Sequence, residues 1–334
     1  MLYHFEGYSA FNGSGMPSIH KAYLCVDLFF VLSGFILALS YGERFNKNAS
    51  WENYGAFLKA RIARVYPAYF VITFLYYAKW VLNVSGTNKE AFRLQDVIAN
   101  GLLVQGWGFP VRWIVSDGWS VSVELFAYLI FPILLVIAIG RNSAAAVALV
   151  AASMTVLIFV GHTGHGASGP LDVVQSNNSV LPLLRCLADF SLGLVMFRLA
   201  CAPSWQGFLS SEYTISFVLI LLCASLFVDQ TDVFTVSVIS LLIGCLYYNG
   251  KIGVALFGNG IIHHLGKISY SLYLLHPFFI GVAGHYKDVA AARFGLSAPL
   301  TFIVLGITAT WVASYLSYRF IEVPARRYVH KRDR

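Results

Sequence analysis

Charged residues are scarce in this chain of 334 residues. Asp, Glu, Lys and Arg make up 12% of the sequence, whereas soluble domains contain about 25%. Hydrophobic residues make up 58%, and the mean hydropathy is +0.68. This composition excludes a soluble globular domain, which needs more polar surface. The apolar residues occur in repeated runs of about 20, enough to cross a hydrocarbon core of about 30 Å, which predicts an all-α integral membrane protein.

Metal and disulfide signatures are also missing from the sequence. No two of the five cysteines form a CxxC pair, and all lie within or beside apolar runs. This pattern predicts small core residues, no metal site and no disulfide framework. We therefore expect no bound metal and no resident cofactor. The cysteines are Cys25, Cys186, Cys201, Cys223 and Cys245.

The formal net charge of +7 does not indicate nucleic-acid binding. The basic residues lie in short loops and in the C-terminal tail, where they are expected to set topology and contact anionic lipid headgroups. The side of the membrane with more Lys and Arg, which includes the C-terminus, is predicted to be cytoplasmic. The lipid bilayer is thus an expected partner, and nucleic acid is not.

Apolar runs separated by polar breaks predict a bundle of about nine transmembrane helices in a single domain over residues 1–334. The segment 92–107 is too short and too polar to span, and it is predicted to be a re-entrant or surface helix. We find no internal repeat and no long linker. The predicted spans are 23–41, 65–84, 119–140, 144–161, 181–200, 213–229, 232–249, 267–286 and 299–320.

The N-terminal residues 1–22 read as a loop without a signal peptide. Residues 2–5 look like the last turn of a helix whose beginning is missing. Nine spans and a cytoplasmic C-terminus would also leave Met1 outside. The sequence therefore predicts that a first transmembrane helix is absent from this chain, through a wrong start or a natural truncation.

Ionisable residues inside apolar spans are costly in a bilayer and mark functional candidates. Asp27 shares a helix face with Gly34, seven residues later, and it either lines a site or acts as a buried hydrogen-bonding bracket. Arg61 and Arg64 are three residues apart and share a face at the cytoplasmic end of the second span. Two guanidinium groups so placed suit phosphate recognition, and ordinary positive-inside anchoring also accounts for them.

Two carboxylates in other spans also need partners. Ser120 and Glu124 lie four residues apart on one helix face, and a buried carboxylate requires a partner or a proton. Glu124 could orient a catalytic imidazole or form half of a structural ion pair. Arg319 and Glu322 are spaced for an intrahelical ion pair, with Pro324 as a helix stop.

The second-last predicted span, 267–286, carries a stripe of polar residues. Ser269, Tyr273 and His276 lie at positions i, i+4 and i+7 of an otherwise apolar helix. They either line a cavity or form a ladder of hydrogen bonds to a neighbouring helix. Pro277 has no N–H, so it can free a carbonyl one turn back and allow a kink.

Six motifs occur in order along nearly the whole chain. They are YHF (3–5), VDLFFVLSGF (26–35), RIAR (61–64) followed by Tyr66-Pro67, WSVSVE (119–124) with Pro132, LGKISYSLYLLHP (265–277) and SYRFIEVP (317–324). Each motif alone is weak, but six in order are specific. The chain resembles the membrane-bound acyltransferase 3 family, whose members have ten transmembrane helices.

The resemblance implies an enzyme, an O-acyltransferase that moves an acyl group, commonly acetyl from acetyl-CoA, onto a carbohydrate hydroxyl. It implies that His4 is the catalytic histidine, as general base or as carrier of the acyl group. Arg61 and Arg64 would hold the phosphates of the cytoplasmic acyl-CoA donor. Glu124 would tune or orient the histidine.

The remaining predicted site residues, which are expected to line the site, are Asp27, Ser120, Tyr273 and His276. The family usually has an arginine eleven residues before its histidine, and His4 leaves no room for it. A fused C-terminal hydrolase-like domain is also missing, so the chain would act alone or with a separate periplasmic transferase. The family implies the bacterial inner membrane. The alternatives are a transporter or flippase of a glycan or small molecule, and an inactive truncated family member.

Overall fold

The computed structural model describes residues 21–82, 91–164, 166, 168–173, 179–295 and 297–332. Within these ranges all regular structure is helical, as the composition predicts. A short 3₁₀ turn at Lys21–Leu24 precedes the first helix. The helices are α1 (Cys25–Lys47), α2 (Trp51–Val81), α3 (Leu94–Gly101), α4 (Gly118–Ile139), α5 (Ser143–Gly164), α6 (Leu181–Ala200), α7 (Pro203–Leu209), α8 (Glu212–Leu226), α9 (Asp232–Leu246), α10 (Lys251–Phe257), α11 (Gly260–Phe294), α12 (Ala298–Ser317) and α13 (Val323–Arg332).

Each of the nine predicted spans overlaps a helix in the described part of the chain. By length and composition, four helices in the described residues could cross a membrane, or up to six if each bent pair of helices is one span. The count of nine therefore stays a prediction, and the coarser picture of a helical membrane protein holds. The segment 92–107 contains only α3, whose eight residues are too short to span.

Helix ends follow local sequence signals. The Ser50 side chain caps α2 by accepting a hydrogen bond from the Asn53 N–H at 3.3 Å. Asn259 caps α11 in the same way, with the Ile262 N–H as donor at 2.9 Å. Gly295 ends α11 with φ of +66°, a left-handed conformation that glycine adopts without steric cost.

Helices α1 and α6 pack closely because each presents a glycine to the other. A Cβ added at Gly34 would lie 2.1 Å from the carbonyl oxygen of Phe190, and one added at Gly193 would lie 2.0 Å from that of Val31. Small residues at such crossings let two backbones approach. The crossing at Gly34 and Gly193 therefore fixes α1 against α6.

Replacing Gly193 with alanine is expected to destabilise the protein by about 1–3 kcal/mol, because the methyl group must push α1 away from α6. The matched control is Gly55→Ala on α2, where an added Cβ meets nothing within 4 Å. That control should be neutral or stabilising, since alanine favours helix. Thermal unfolding in detergent measures both, and equal melting temperatures for the two variants would contradict the tight crossing.

The remaining core is built around α4, which packs against α1, α2, α5 and α6. Buried aromatic side chains fill this region, with Phe57 stacked on Phe131 at a centroid distance of 4.8 Å and Phe190 set edge-on to Phe131. Helices α11 and α12 pair with each other and carry a small apolar cluster of their own. The result is a space between α1, α2, α4 and α11.

A π-helical turn, Tyr318–Glu322, joins α12 to α13. The predicted Arg319–Glu322 ion pair is wrong: Glu322 accepts a hydrogen bond from Arg326 at 2.7 Å, and Arg319 donates to the Tyr315 hydroxyl. The wider turn changes the angular spacing of the residues within it. Pro324 does not stop the helix either, because proline is tolerated in the first turn of α13.

Candidate active site

A cavity of about 180 Å³ lies between α1, α2, α4 and α11. Five of the predicted site residues line it, although they come from three helices far apart in sequence. Its α1 wall, from Val26 to Leu37, is largely apolar. The five are Arg61, Arg64, Ser120, Glu124 and Tyr273.

Glu124 is half-buried in the wall of this cavity and is held by two hydroxyl donors. Ser33 of α1 donates to its Oε1 at 2.6 Å, and so does Tyr128, one turn further along α4. Two such bonds fix the carboxylate and compensate part of its desolvation. Sequence reasoning missed both donors, although Tyr128 at i+4 from Glu124 is a helical neighbour that the spacing could have indicated.

The two arginines of α2 line the same cavity. Arg61 Nη2 lies 3.4 Å from the Tyr41 hydroxyl, and its guanidinium lies over the Tyr41 ring. Its Nε is buried without a hydrogen-bond partner among the described residues. Arg64 is exposed. Guanidinium N–H groups directed into a cavity can bind an anionic group bidentately.

Asp27 does not line the cavity but is completely buried beside it, in an ion pair with Arg185 of α6. Arg185 Nε donates to Oδ1 at 2.7 Å and Nη2 donates to Oδ2, so the pair is bidentate. The buried carboxyl of Asp189 interacts electrostatically with the same guanidinium group. The prediction that Asp27 and Gly34 share a face is confirmed, since both contact α6.

Arg185 is the ionisable residue that sequence reasoning missed. It lies inside the predicted span 181–200 and four residues before Asp189. An arginine in the middle of an apolar run is rare enough to be a signal by itself. Its partner could not be identified, because Asp27 is 158 residues away.

His276 also lies behind the cavity wall rather than in it. Its side chain is buried, its ring is 6.0 Å from that of Tyr273, and its Nε2 is 3.4 Å from Oδ2 of Asp117. Asp117 immediately precedes α4. Burial raises the pKa of Asp117 to about 7.

The segment before α4 is organised by Asp96 of α3. Its buried carboxylate accepts hydrogen bonds from the backbone N–H groups of Arg93 and Arg112, at 2.8 and 2.9 Å, and contacts both side chains. Burial alone would raise the pKa of Asp96, but these donors lower it to about 2. The charged carboxylate thus helps to hold the start of α4, where Ser120 lies.

His4 lies outside the described residues, so its predicted catalytic role stays a prediction. Among the residues that the structure describes, no group of three His, Cys, Asp or Glu side chains could hold a metal ion. The described part of the site therefore consists of arginines, hydroxyls, one carboxylate and an apolar wall.

Comparisons with known proteins identify the family of this chain. The family model described as "Acyltransferase domain" matches residues 1–319. The acyltransferase MdmB of Streptomyces mycarofaciens is 26% identical over 92% of this chain and 82% of its own length. A Staphylococcus aureus (strain COL) protein named "Putative O-acetyltransferase" is 23% identical over 91% of this chain, which spans only 53% of that protein's length. No solved structure matches.

Proposed function

Because this chain belongs to the acyltransferase 3 family and is an acyltransferase, we propose that it takes an acyl group, most simply acetyl, from acyl-CoA in the cytoplasm. The acceptor is a hydroxyl group of a cell-surface or exported carbohydrate. The protein resides in the bacterial inner membrane, with its C-terminus in the cytoplasm. The O-acetyltransferase name of the Staphylococcus aureus relative supports an acetyl group and an oxygen acceptor.

The observation that carries this proposal is one cavity that is lined by cationic side chains, by hydroxyl-bearing residues and by an apolar wall. Arg61 and Arg64 line it, and so do Ser120 and Tyr273. The α1 wall from Val26 to Leu37 rises about 17 Å, more than half of a hydrocarbon core. A cavity of this kind suits a long substrate with a charged head and an uncharged arm.

Coenzyme A has this chemistry. Its phosphates match the guanidinium groups of Arg61 and Arg64, because a guanidinium fork binds phosphate oxygens bidentately. Its thioester arm suits the apolar wall, which also limits access of water to the reactive carbonyl. The two arginines would thus set which end of the donor enters the cavity.

The reaction exchanges one bond for another. The acceptor oxygen attacks the thioester carbonyl carbon, the carbon–sulfur bond breaks, and the hydroxyl proton ends on the coenzyme A thiolate. A base must hold that proton in between, and His4 is the predicted base, since imidazole titrates near neutral pH. Glu124 would orient the imidazole and stabilise its charged form. A separate periplasmic transferase could pass the acyl group on to its final acceptor.

Exchanging Glu124 for glutamine is expected to lower kcat about 10- to 50-fold, less than loss of the base itself would cause. Glutamine has an oxygen that can still accept hydrogen bonds from Ser33 and Tyr128, so the fold should be retained, but it cannot stabilise an imidazolium. The measurement is the initial rate of label transfer from radiolabelled acetyl-CoA to host polysaccharide. A wild-type rate in this variant would assign Glu124 to structure alone.

The proposal as a whole is tested in membranes that contain the protein. Labelled acetyl-CoA is supplied, the polysaccharide is extracted, and His4→Ala is the control. Label on glycan only with wild type would support both the acyl transfer and the role of His4. Equal label with His4→Ala would remove His4 from the mechanism, and no label with either protein would contradict this donor and acceptor.

A further inference from the structure

The two ring nitrogens of His276 have different neighbours. Nδ1 lies 2.6 Å from the carbonyl oxygen of Tyr273, which can only accept, so Nδ1 carries a hydrogen and donates it. This carbonyl is the one that Pro277 leaves without a helical partner, because proline has no N–H for the residue four positions earlier. The local sequence therefore sets the tautomer, and Nε2 is the nitrogen that faces Asp117.

The contact between His276 and Asp117 is buried on both sides. Nε2 and Oδ2 are 3.4 Å apart, and the two side chains are 3% and 10% exposed. A single proton between Nε2 and Oδ2 would satisfy both groups, on the carboxyl beside a neutral imidazole or on Nε2 in an ion pair. Either arrangement avoids an unpaired buried charge. From α2, the Tyr76 hydroxyl approaches the same place and donates to the Leu274 carbonyl at 3.2 Å.

Backbone hydrogen bonds connect both Asp117 and His276 to residues that line the cavity. The Ser120 hydroxyl donates to the Asp117 carbonyl oxygen at 3.0 Å, and His276 holds the Tyr273 carbonyl. Ser120 and Tyr273 both line the cavity. The contact thus ties the start of α4 to the turn of α11 that precedes Pro277, and these two places carry Ser120 and Tyr273.

We propose that Asp117 and His276 are positioning residues for the acyl transfer, which hold the Tyr273 hydroxyl where it can donate to the oxyanion of the thioester carbonyl. This inference rests on the proposed function. When the acceptor oxygen bonds to the carbonyl carbon, the carbonyl electron pair moves to its oxygen, and it returns as the carbon–sulfur bond breaks. A fixed hydroxyl donor stabilises that charge without reorganising.

Two substitutions at one position separate positioning from mere folding. Asp117→Asn keeps a side chain that can donate to neutral Nε2, and Asp117→Ala removes it. We expect Asp117→Ala to lower kcat about 10-fold while the KM for acetyl-CoA stays within about two-fold, since small displacements at a reacting group are costly and the phosphate-binding end is untouched. Asp117→Asn should restore most of kcat, and Tyr273→Phe should lower kcat with the same unchanged KM.

Purified protein in detergent is assayed for kcat and KM, and the melting temperature of each variant is recorded. A wild-type kcat in Asp117→Ala would overturn the inference, and so would an equal loss in Asp117→Asn. A loss of kcat that follows the fraction of unfolded protein would also overturn it. In each of these cases wild type still transfers label and the proposed function stands, whereas a wild type that transfers none overturns both.

Discussion

Exchanging both Arg61 and Arg64 for alanine is expected to raise the KM for acyl-CoA at least about 100-fold, because each charge-assisted hydrogen bond contributes about 1.5–3 kcal/mol. Both guanidinium groups line the cavity, and Arg61 Nε has no hydrogen-bond partner among the described residues. Guanidinium groups that line a cavity can bind substrate phosphates bidentately. Truncation should therefore weaken donor binding, and within the protein it removes the contact of Arg61 with Tyr41.

The control for this variant is Lys59→Ala, an exposed residue of the same helix that does not line the cavity. It removes a positive charge from the same region, so it reports on general electrostatic attraction and on membrane insertion. Its KM should stay close to that of wild type. A double arginine variant that loses only expression or insertion, with an unchanged KM, would assign the pair to topology.

Replacing Arg185 with methionine is expected to destabilise the protein by about 3–5 kcal/mol, since it leaves Asp27 as a buried carboxylate without its partner. The side chains of Arg185 and Asp27 are 1% and 0% exposed, so water cannot take over the role of the guanidinium. The buried carboxyl of Asp189 would lose the same counter-charge. Thermal or denaturant unfolding in detergent measures the loss.

Two companion variants identify the cause of that loss. The double variant Asp27→Asn with Arg185→Met should recover part of the stability, because it leaves less uncompensated buried charge. Lys47→Met removes a surface ion pair with Glu43 and should leave the melting temperature unchanged. If Arg185→Met were as stable as wild type, the ion pair would not support the packing of α1 on α6.

The sequence predicts features that depend on spacing within one helix. Glu124 and Ser120 face one cavity, as four-residue spacing on α4 requires. Pro277 was expected to free a carbonyl one turn back, and that carbonyl is the one bonded by His276. Periodicity is sufficient for such cases, because a helix fixes the relative directions of residues three and four apart.

Features that depend on which helices become neighbours could not be predicted in this way. Ser33 reaches Glu124 across 91 residues, and Arg185 reaches Asp27 across 158. A single sequence states that each group needs a partner but not where the partner lies. The error at Arg319 has a different cause, since a π turn breaks the helical spacing on which that prediction rested.

We propose that one cavity brings a cytoplasmic acyl-CoA to a hydroxyl acceptor. The most direct test is label transfer from acetyl-CoA, which does not cross the bilayer, in sealed vesicles of either orientation. We expect label on carbohydrate when the cytoplasmic face is outward, and a strong loss with the Arg61 and Arg64 double variant at low donor concentration. Transfer by intact vesicles of the opposite orientation would contradict a cytoplasmic donor site. Full transfer by the double variant at that concentration would contradict donor binding by the two arginines.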